Sequence, residues 1–353
     1  MRSLAREYKP DNLRADMTDR AVPPRVLLIG AGSVGAVYLY QLQQAGCEVT
    51  AVCRSNYAHV KEHGFQLRSL RYGNVSYSPS RTVNSLLECA ADNFDYVLVC
   101  IKSFPGSKPS LPDMLATVIR NKSTSIVLAQ NGIMIEEEVA RQFPENPILS
   151  GVVYLPAEQT APGTIEYHEM LNLLELGTYP AGAPEDHKAA AFGFAELMTK
   201  GGGNVDVLED IQIARWSKLM MNAAWNPICA LTLCSDGDFL RSSDTAEELA
   251  REVMMEVIAL ADKMGIPGVT VEVAESKLNI SRRRAEQGTG REMSMLQDIR
   301  QGRSFEVEAI IGNAVRLGRT QAVKMPRLET FYALLKGRYE AQVKERNNGS
   351  ASN

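Results

Sequence analysis

The chain has 353 residues, 45% hydrophobic and 23% charged, with 38 Lys and Arg against 42 Asp and Glu for a formal net charge of −4. This is the composition of a globular chain of about two domains at roughly 150 residues each, and it excludes disorder, a fibrous repeat or a disulfide scaffold as the whole answer. With a mildly acidic balance and no basic run carrying interleaved aromatics, the chain lacks a phosphate-backbone stripe, so nucleic acid is not an expected partner.

Residues 1–24 mix Arg2, Arg6 and Arg14 with Glu7, Asp11 and Asp16. They lack the ordered basic, apolar and small-residue regions of a signal peptide, so they read as a flexible leader of a cytoplasmic protein. The uncharged run 26–47 has the length of a membrane span, but Gly30, Gly32, Gly35, Gln41, Gln43 and Gln44 argue against one. From Arg25 onward, short β-branched runs (25–29, 48–53, 95–101, 124–129) alternate with helical stretches. That rhythm predicts βαβ units and a parallel sheet. Further strand-like runs at 148–154, 164–167 and 172–176 are separated by Pro and Gly, with little room for helices, so the sheet is expected to end in antiparallel pieces.

Beyond Gly201-Gly202-Gly203 the pattern becomes helical, with long segments near 209–232, 243–264, 292–318 and 326–345. Ser243-Asp244 starts the second of these, and Gly265 with Pro267 stops it. The division expected is a leader over 1–24, an α/β domain over 25–208, an all-α domain over 209–342 and a disordered tail over 343–353. Cys47, Cys53, Cys89, Cys100, Cys229 and Cys234 are scattered without metal or redox spacing, and read as buried thiols in a reducing compartment. His59-Val60-Lys61-Glu62-His63 matches an inverted zinc-peptidase motif, but it falls in a short helix that Gly64 ends at once, without a supporting acidic ligand, so no metal is expected.

The strand 25–29 runs directly into Gly30-Ala31-Gly32-Ser33-Val34-Gly35 and then an apolar helix. In that context the first glycine permits the tight turn, the second lets backbone approach a pyrophosphate, the third packs helix on strand, and the helix start supplies N–H groups. A dinucleotide site follows, with Gly30, Gly32, Ser33, Val34 and Gly35 as its cradle. The second strand ends in Cys53-Arg54-Ser55-Asn56, placing a guanidinium where an NAD site wants a carboxylate. Arg54 therefore predicts NADPH.

In the helical half, Lys218, Asn222 and Asn226 recur at i, i+4 and i+8 on one helix face, among Leu, Met, Ala and Trp. A polar stripe on a buried helix needs a partner, and a ligand supplies one. A second cluster runs through Ser294, Gln297 and Asp298 to Arg303 and Glu306, with acidic and hydroxyl groups able to orient a small polar substrate.

Together, the glycine fingerprint, Gln130-Asn131-Gly132 after a strand, Lys-x3-Asn-x3-Asn-Pro in a helix, and Ser-Met-x-Gln-Asp with Glu twelve positions after the Ser resemble the ketopantoate reductase (2-dehydropantoate 2-reductase) family over about 25–335. The resemblance implies a Rossmann-type dinucleotide-binding domain followed by an all-α domain of 6-phosphogluconate-dehydrogenase-like architecture. It implies NADPH-dependent reduction of ketopantoate to pantoate on the route to pantothenate and coenzyme A. It also implies that Lys218 is the general acid, that Glu306 orients Lys218 and substrate, that Ser294 holds the carboxylate, that Asn222 and Asn226 line the site, and that Lys102 and Asn131 lie near the nicotinamide. An ammonium suits hydride addition to a carbonyl, since it stabilises the developing alkoxide and supplies its proton. Burial would lower the pKa of Lys218 and Glu306 would raise it.

The sequence departs from the family pattern where a small polar residue usually precedes the motif Ser by three places: here that residue is Arg291, which either grips a carboxylate bidentately, favouring another 2-oxo acid, or turns outward with Glu292. After Lys102, Pro105 breaks the usual helical continuation. Two alternatives stand beside the leading reading: a paralogue with a different carbonyl substrate or a non-redox reaction, and an NADPH-binding sensor without turnover. Exposed helical-domain faces often pair, which allows a homodimer.

Overall fold

The computed structural model describes residues 22–350, with side chains through 346. Of the expected leader, residues 1–21 lie outside the described residues. The chain divides into two compact units, and the division is not a single cut. One unit runs to Ile101 and resumes over Gly106–Gln130 and Ile135–Ile211; the other gathers Lys102–Pro105, Asn131–Met134 and everything from Gln212.

In the first unit, β1 (Arg25–Ile29), α1 (Ser33–Gln44), β2 (Glu48–Val52) and α2 (Tyr57–His63) are followed by β3 (Phe65–Ser69), β4 (Gly73–Tyr77), β5 (Arg81–Val83), β6 (Tyr96–Val99) and α3 (Leu111–Ala116). Then come β7 (Ser125–Leu128), α4 (Glu137–Gln142), β8 (Ile148–Tyr154), β9 (Glu158–Ala161), β10 (Thr164–Tyr167), β11 (Leu173–Thr178), α5 (Glu185–Lys200) and β12 (Val205–Val207). Eight strands form one sheet in the order β12-β11-β8-β7-β6-β1-β2-β5. From β5 to β8 neighbours are parallel, whereas β11 returns antiparallel to β8, the antiparallel ending expected from the Pro and Gly breaks.

Parallel strands are covered on both faces, which is why these runs are apolar throughout rather than alternating. Val26 and Leu28 pack with Leu39, Leu42 and Phe194 of α1 and α5. Leu27 and Ile29 point the other way, onto Leu115, Val118 and Val139 around α3 and α4.

A second sheet, β4-β3-β10-β9, was not anticipated. The sequence pattern places the run 164–167 in the main sheet, but as β10 it pairs parallel with β3. Its inward Ile165 and Tyr167, with Phe65 and Leu67 of β3, cover α1.

The second unit holds α6 (Ile211–Thr232), α7 (Asp236–Ser242), α8 (Ala246–Lys263), α9 (Val271–Glu286), α10 (Ser294–Arg300), a π-helical turn (Glu308–Gly312), α11 (Asn313–Thr320) and α12 (Pro326–Ser350). Its core joins Trp216, Leu219 and Ala223 of α6 to Val253, Val257 and Leu260 of α8 and Leu328 and Leu335 of α12. α9 escaped the periodicity reading because it buries only Ala274, Leu278 and Ser281.

The single helix expected at 292–318 is broken into α10, the π-helical turn and α11, because Gly302 at φ +63 ends α10 in a conformation other residues avoid. The tail is also corrected: residues 343–350 continue α12 rather than being disordered, and 351–353 lie outside the described residues. Gln342 Nε2 donates to the Arg303 carbonyl at 2.9 Å and Arg346 to Ser304 Oγ at 3.2 Å, so this polar end is tied to the chain it crosses.

Candidate active site

At the carboxyl end of β1, Gly30 has φ +99, and a Cβ there would collide with Ile101; a Cβ on Gly35 would strike the Gly30 carbonyl. These two glycines are required by the turn and by the closeness of α1 to it. Gly32, by contrast, faces open space, caps α1 without a side-chain bond, and precedes a first turn without acidic residues. Gly32, Ser33 and Val34 are half-buried, so the helix start presents N–H groups and positive dipole to an anion.

Asn56, buried just before α2, donates to the Ala31 carbonyl at 2.9 Å and holds this loop from behind. Sequence reasoning missed Asn56, although its position beside Arg54 was a usable signal. Arg54 and Ser55 are exposed, and Arg54 has no ion-pair partner among the described residues. An open cradle and an unengaged guanidinium suit a dinucleotide bearing an extra phosphate.

The second unit assembles most of the remaining expected residues. Lys218 of α6 donates from Nζ to Asn131 Oδ1 at 3.0 Å, and Asn131 Nδ2 donates to Glu306 Oε2 at 3.4 Å. Glu306 Oε1 accepts the Ser103 backbone N–H at 2.9 Å. No direct bond joins Lys218 to Glu306 among the described residues; the Asn131 amide bridges them. An ammonium only donates and a carboxylate only accepts, so one orientation of that amide pairs both. Burial raises the Glu306 pKa above the usual carboxylate range, opposed by the Ser103 N–H, by Lys102 and by Asn131.

Asn131 sits where it does because Gly132 has φ +95 and lies against the π-helical turn, where a Cβ would collide with the Ala309 carbonyl. Arg215, buried on α6, donates to the Gly132 carbonyl at 2.8 Å, and Asn313 of α11 donates to the Ile133 carbonyl at 2.7 Å. Met134 closes the segment at φ +60, a left-handed conformation that costs energy for a non-glycine. Arg215 and Asn313 were not singled out from the sequence, and Gly132 entered only as the end of the Gln130-Asn131-Gly132 motif.

Lys102 ion-pairs with Asp298 at 2.5 Å and donates to the Ser304 carbonyl at 2.8 Å. Asp298 is buried on α10 and also takes Arg303 at 3.1 Å, so it serves Lys102 and Arg303 rather than standing open as a substrate-orienting acid. As Pro105 implied, no helix follows Lys102 until α3.

Asn226 is buried, and its Oδ1 accepts the Met295 N–H at 3.1 Å and Ser294 Oγ at 3.3 Å, capping the start of α10. Ser294 itself is exposed and Asn222 is half-buried. Arg291 precedes α10, and its backbone N–H donates to Asp236 at 2.6 Å. His59 and His63 lie on α2 with ring centroids 5.0 Å apart, and no group of three potential metal ligands occurs among the described residues.

The fold and site define a two-unit chain, with a dinucleotide-type α/β unit and a helical unit carrying a Lys–Asn–Glu relay. Two family models cover it: ketopantoate reductase PanE/ApbA matches 26–181, and ketopantoate reductase PanE/ApbA C-terminal matches 210–340. The chain belongs to the ketopantoate reductase family. An uncharacterised protein of Saccharomyces cerevisiae is 30% identical over 91% of this chain and 95% of its own length. The 2-dehydropantoate 2-reductase of Nostoc sp. is 27% identical over 88% and 93%. The crystal structure of 2-dehydropantoate 2-reductase from Methylococcus capsulatus is 34% identical with a TM-score of 0.78, covering 90% of this chain and 97% of that one. The two relatives named as 2-dehydropantoate 2-reductases are oxidoreductases. No helix among the described residues is long and apolar enough to cross a membrane.

Proposed function

We propose that the chain is an NADPH-dependent reductase of a 2-oxo acid, with ketopantoate as its substrate and pantoate as its product, working in the cytoplasm in pantothenate synthesis. The observation that carries this is the relay in which Asn131 hands its oxygen to Lys218 and its amide to Glu306. Membership of the family and the names of the Nostoc and Methylococcus relatives support the substrate. Exposed Arg54 beside the open helix start supports the phosphorylated cofactor.

NADPH, when bound along Gly30, Gly32, Ser33, Val34, Gly35 and Arg54, supplies the hydride for the substrate carbonyl carbon. Lys218 then gives its proton to the oxygen on which negative charge develops, so that ketone and hydride become alcohol with no charge left on substrate oxygen. Asn131 holds the ammonium in place, and Glu306 fixes the orientation of Asn131. Ser294 at the start of α10 receives the substrate carboxylate, with Asn222 and Asn226 alongside. Lys102, paired with Asp298, fixes the chain just before Ser103, whose N–H meets Glu306. A homodimer is consistent with this reading.

A second reading keeps fold, cofactor and mechanism but takes a different 2-oxo acid, because the residue three places before Ser294 is Arg291. Consumption of NADPH by purified protein, run with ketopantoate, a panel of other 2-oxo acids and NADH, decides between them. Rapid NADPH-selective turnover of ketopantoate supports the first reading, and preference for another acid supports the second. Tight NADPH binding with no turnover of any acid overturns both and leaves a sensor.

A further inference from the structure

The segment 287–293 that delivers Arg291 and Ser294 has no regular structure of its own. Something else must fix it, and the clamp is Asp236, a fully buried carboxylate that meets the expected substrate residues through the Arg291 backbone. Its Oδ1 accepts the Gly237 N–H at 2.8 Å and the Arg291 N–H at 2.6 Å. Its Oδ2 accepts Ser281 Oγ at 2.8 Å and Arg284 Nη1 at 2.7 Å, both on α9. Its own N–H donates to the Arg291 carbonyl at 3.1 Å, so residues 236 and 291 are bonded in both directions.

The backbones are packed to match: a Cβ on Gly237 would collide with the Thr289 carbonyl, and one on Gly290 with Ser235 Oγ. Arg241 of α7 adds bonds to the Ala285 and Thr289 carbonyls at 3.0 and 3.1 Å. Burying a carboxylate is costly unless every lone pair is used, and an apolar residue of similar size would serve stability as well. What the carboxylate adds is register. Asp236 grips Arg291 three residues before Ser294, and Asn226 grips Met295 one residue after it.

We propose that Asp236 is a positioning residue for substrate recognition: through Arg291 it sets where the start of α10, and with it Ser294, meets a 2-oxo acid. This rests on the 2-oxo acid reading for its functional half, while the clamp itself does not.

In Asp236→Asn the new amide N–H faces Arg284, which only donates, while the Ser281 hydroxyl can turn to accept it, so the Arg284 bond of the clamp is lost and its charge left unpaired there while the shape is kept. Gly290→Ala disturbs the clamp from the other side, by pushing on Ser235 next to the pairing of residues 236 and 291. With the acid that wild type reduces best, both variants should raise KM about tenfold, the worth of one or two lost hydrogen bonds. Both should leave kcat within about twofold and NADPH affinity unchanged, and amide hydrogen exchange should accelerate over 289–295 alone.

A merely structural role gives the opposite split, with kcat falling as the active fraction falls, KM constant and exchange rising across the whole helical unit; that result overturns the proposal. If wild type reduces no acid in the panel, the reductase reading fails, and exchange alone judges the clamp. Faster exchange confined to 289–295 in both variants supports it, and unchanged protection there overturns it.

Discussion

Replacing Glu306 by glutamine tests the relay at its base. Glu306 as a carboxylate accepts two donors at once, the Ser103 N–H at 2.9 Å and Asn131 Nδ2 at 3.4 Å. A glutamine has one accepting oxygen and one donating nitrogen at that end, so it cannot satisfy both. If its oxygen stays with Ser103, its amide N–H meets Asn131, whose own amide must then turn over and present N–H to the Lys218 ammonium. The bond from Lys218 to Asn131 at 3.0 Å is then lost. If the oxygen goes to Asn131, the N–H of half-buried Ser103 is left facing a donor. The first outcome removes a hydrogen bond to a charged group, about 1.5–3 kcal/mol, or about a 10- to 150-fold fall in kcat.

Stability moves differently. Burial raises the Glu306 pKa, so the folded state holds its proton more tightly than the unfolded chain does. Its contribution is present below the ordinary carboxylate pKa and is lost as pH rises through the higher folded value. Glutamine does not titrate, so the Tm of Glu306→Gln relative to wild type should climb with pH across that window, and wild-type turnover should decline on its acid side. Steady-state kinetics and thermal melts over a pH series measure both. A variant that keeps kcat within about twofold of wild type refutes the acceptor argument.

Lys218→Ala should lower kcat by about 10²- to 10⁴-fold while NADPH titration by fluorescence gives an unchanged Kd, and undiminished turnover removes Lys218 as the acid. Arg54→Ala should reduce the preference for NADPH over NADH about ten- to hundredfold, read as the ratio of kcat/KM values, and a constant ratio places the extra phosphate elsewhere. Gly132→Ala must hold φ +95 and push a Cβ into the Ala309 carbonyl. It should cost about 1–3 kcal/mol in urea denaturation and cut turnover by displacing Asn131; an unaltered urea midpoint refutes the packing argument.

The strand, glycine turn and helix of the proposed nucleotide end were legible because their signal is local. Strand, glycine turn and helix are consecutive, each glycine has a steric reason at its own position, and Arg54 follows at the next strand end. The antiparallel return of β11 was legible for the same reason, since Pro and Gly left no room for a crossover helix. Legibility fails where one element is paid for by a distant one. β10 reads like any other strand, and only its pairing with β3 takes it out of the main sheet. α9 is polar on most of its surface because it buries only three residues, and the end of α12 is polar because its side chains bond to residues 303 and 304.

The site divides along the same line. Lys218, Asn222 and Asn226 were visible as a stripe at helical spacing, and Ser294 and Glu306 as a motif, but the joint between them was not. Asn131 and Glu306 are 175 positions apart, and nothing local to either marks it as the other's partner. What joins them is satisfaction of donors and acceptors: a buried acid with two N–H groups aimed at it, an amide with one end on that acid, and an ammonium taking the other end. Each group alone has many acceptable surroundings, and the chain 131–134 must also be bent by Gly132 and held by Arg215 and Asn313 before the amide faces both ways. The proposed reactive geometry therefore rests on how the helical unit holds its own four-residue segment 131–134. Substitutions at Gly132, Arg215 or Asn313, none of which meets substrate in the proposed mechanism, should act on turnover through the orientation of Asn131.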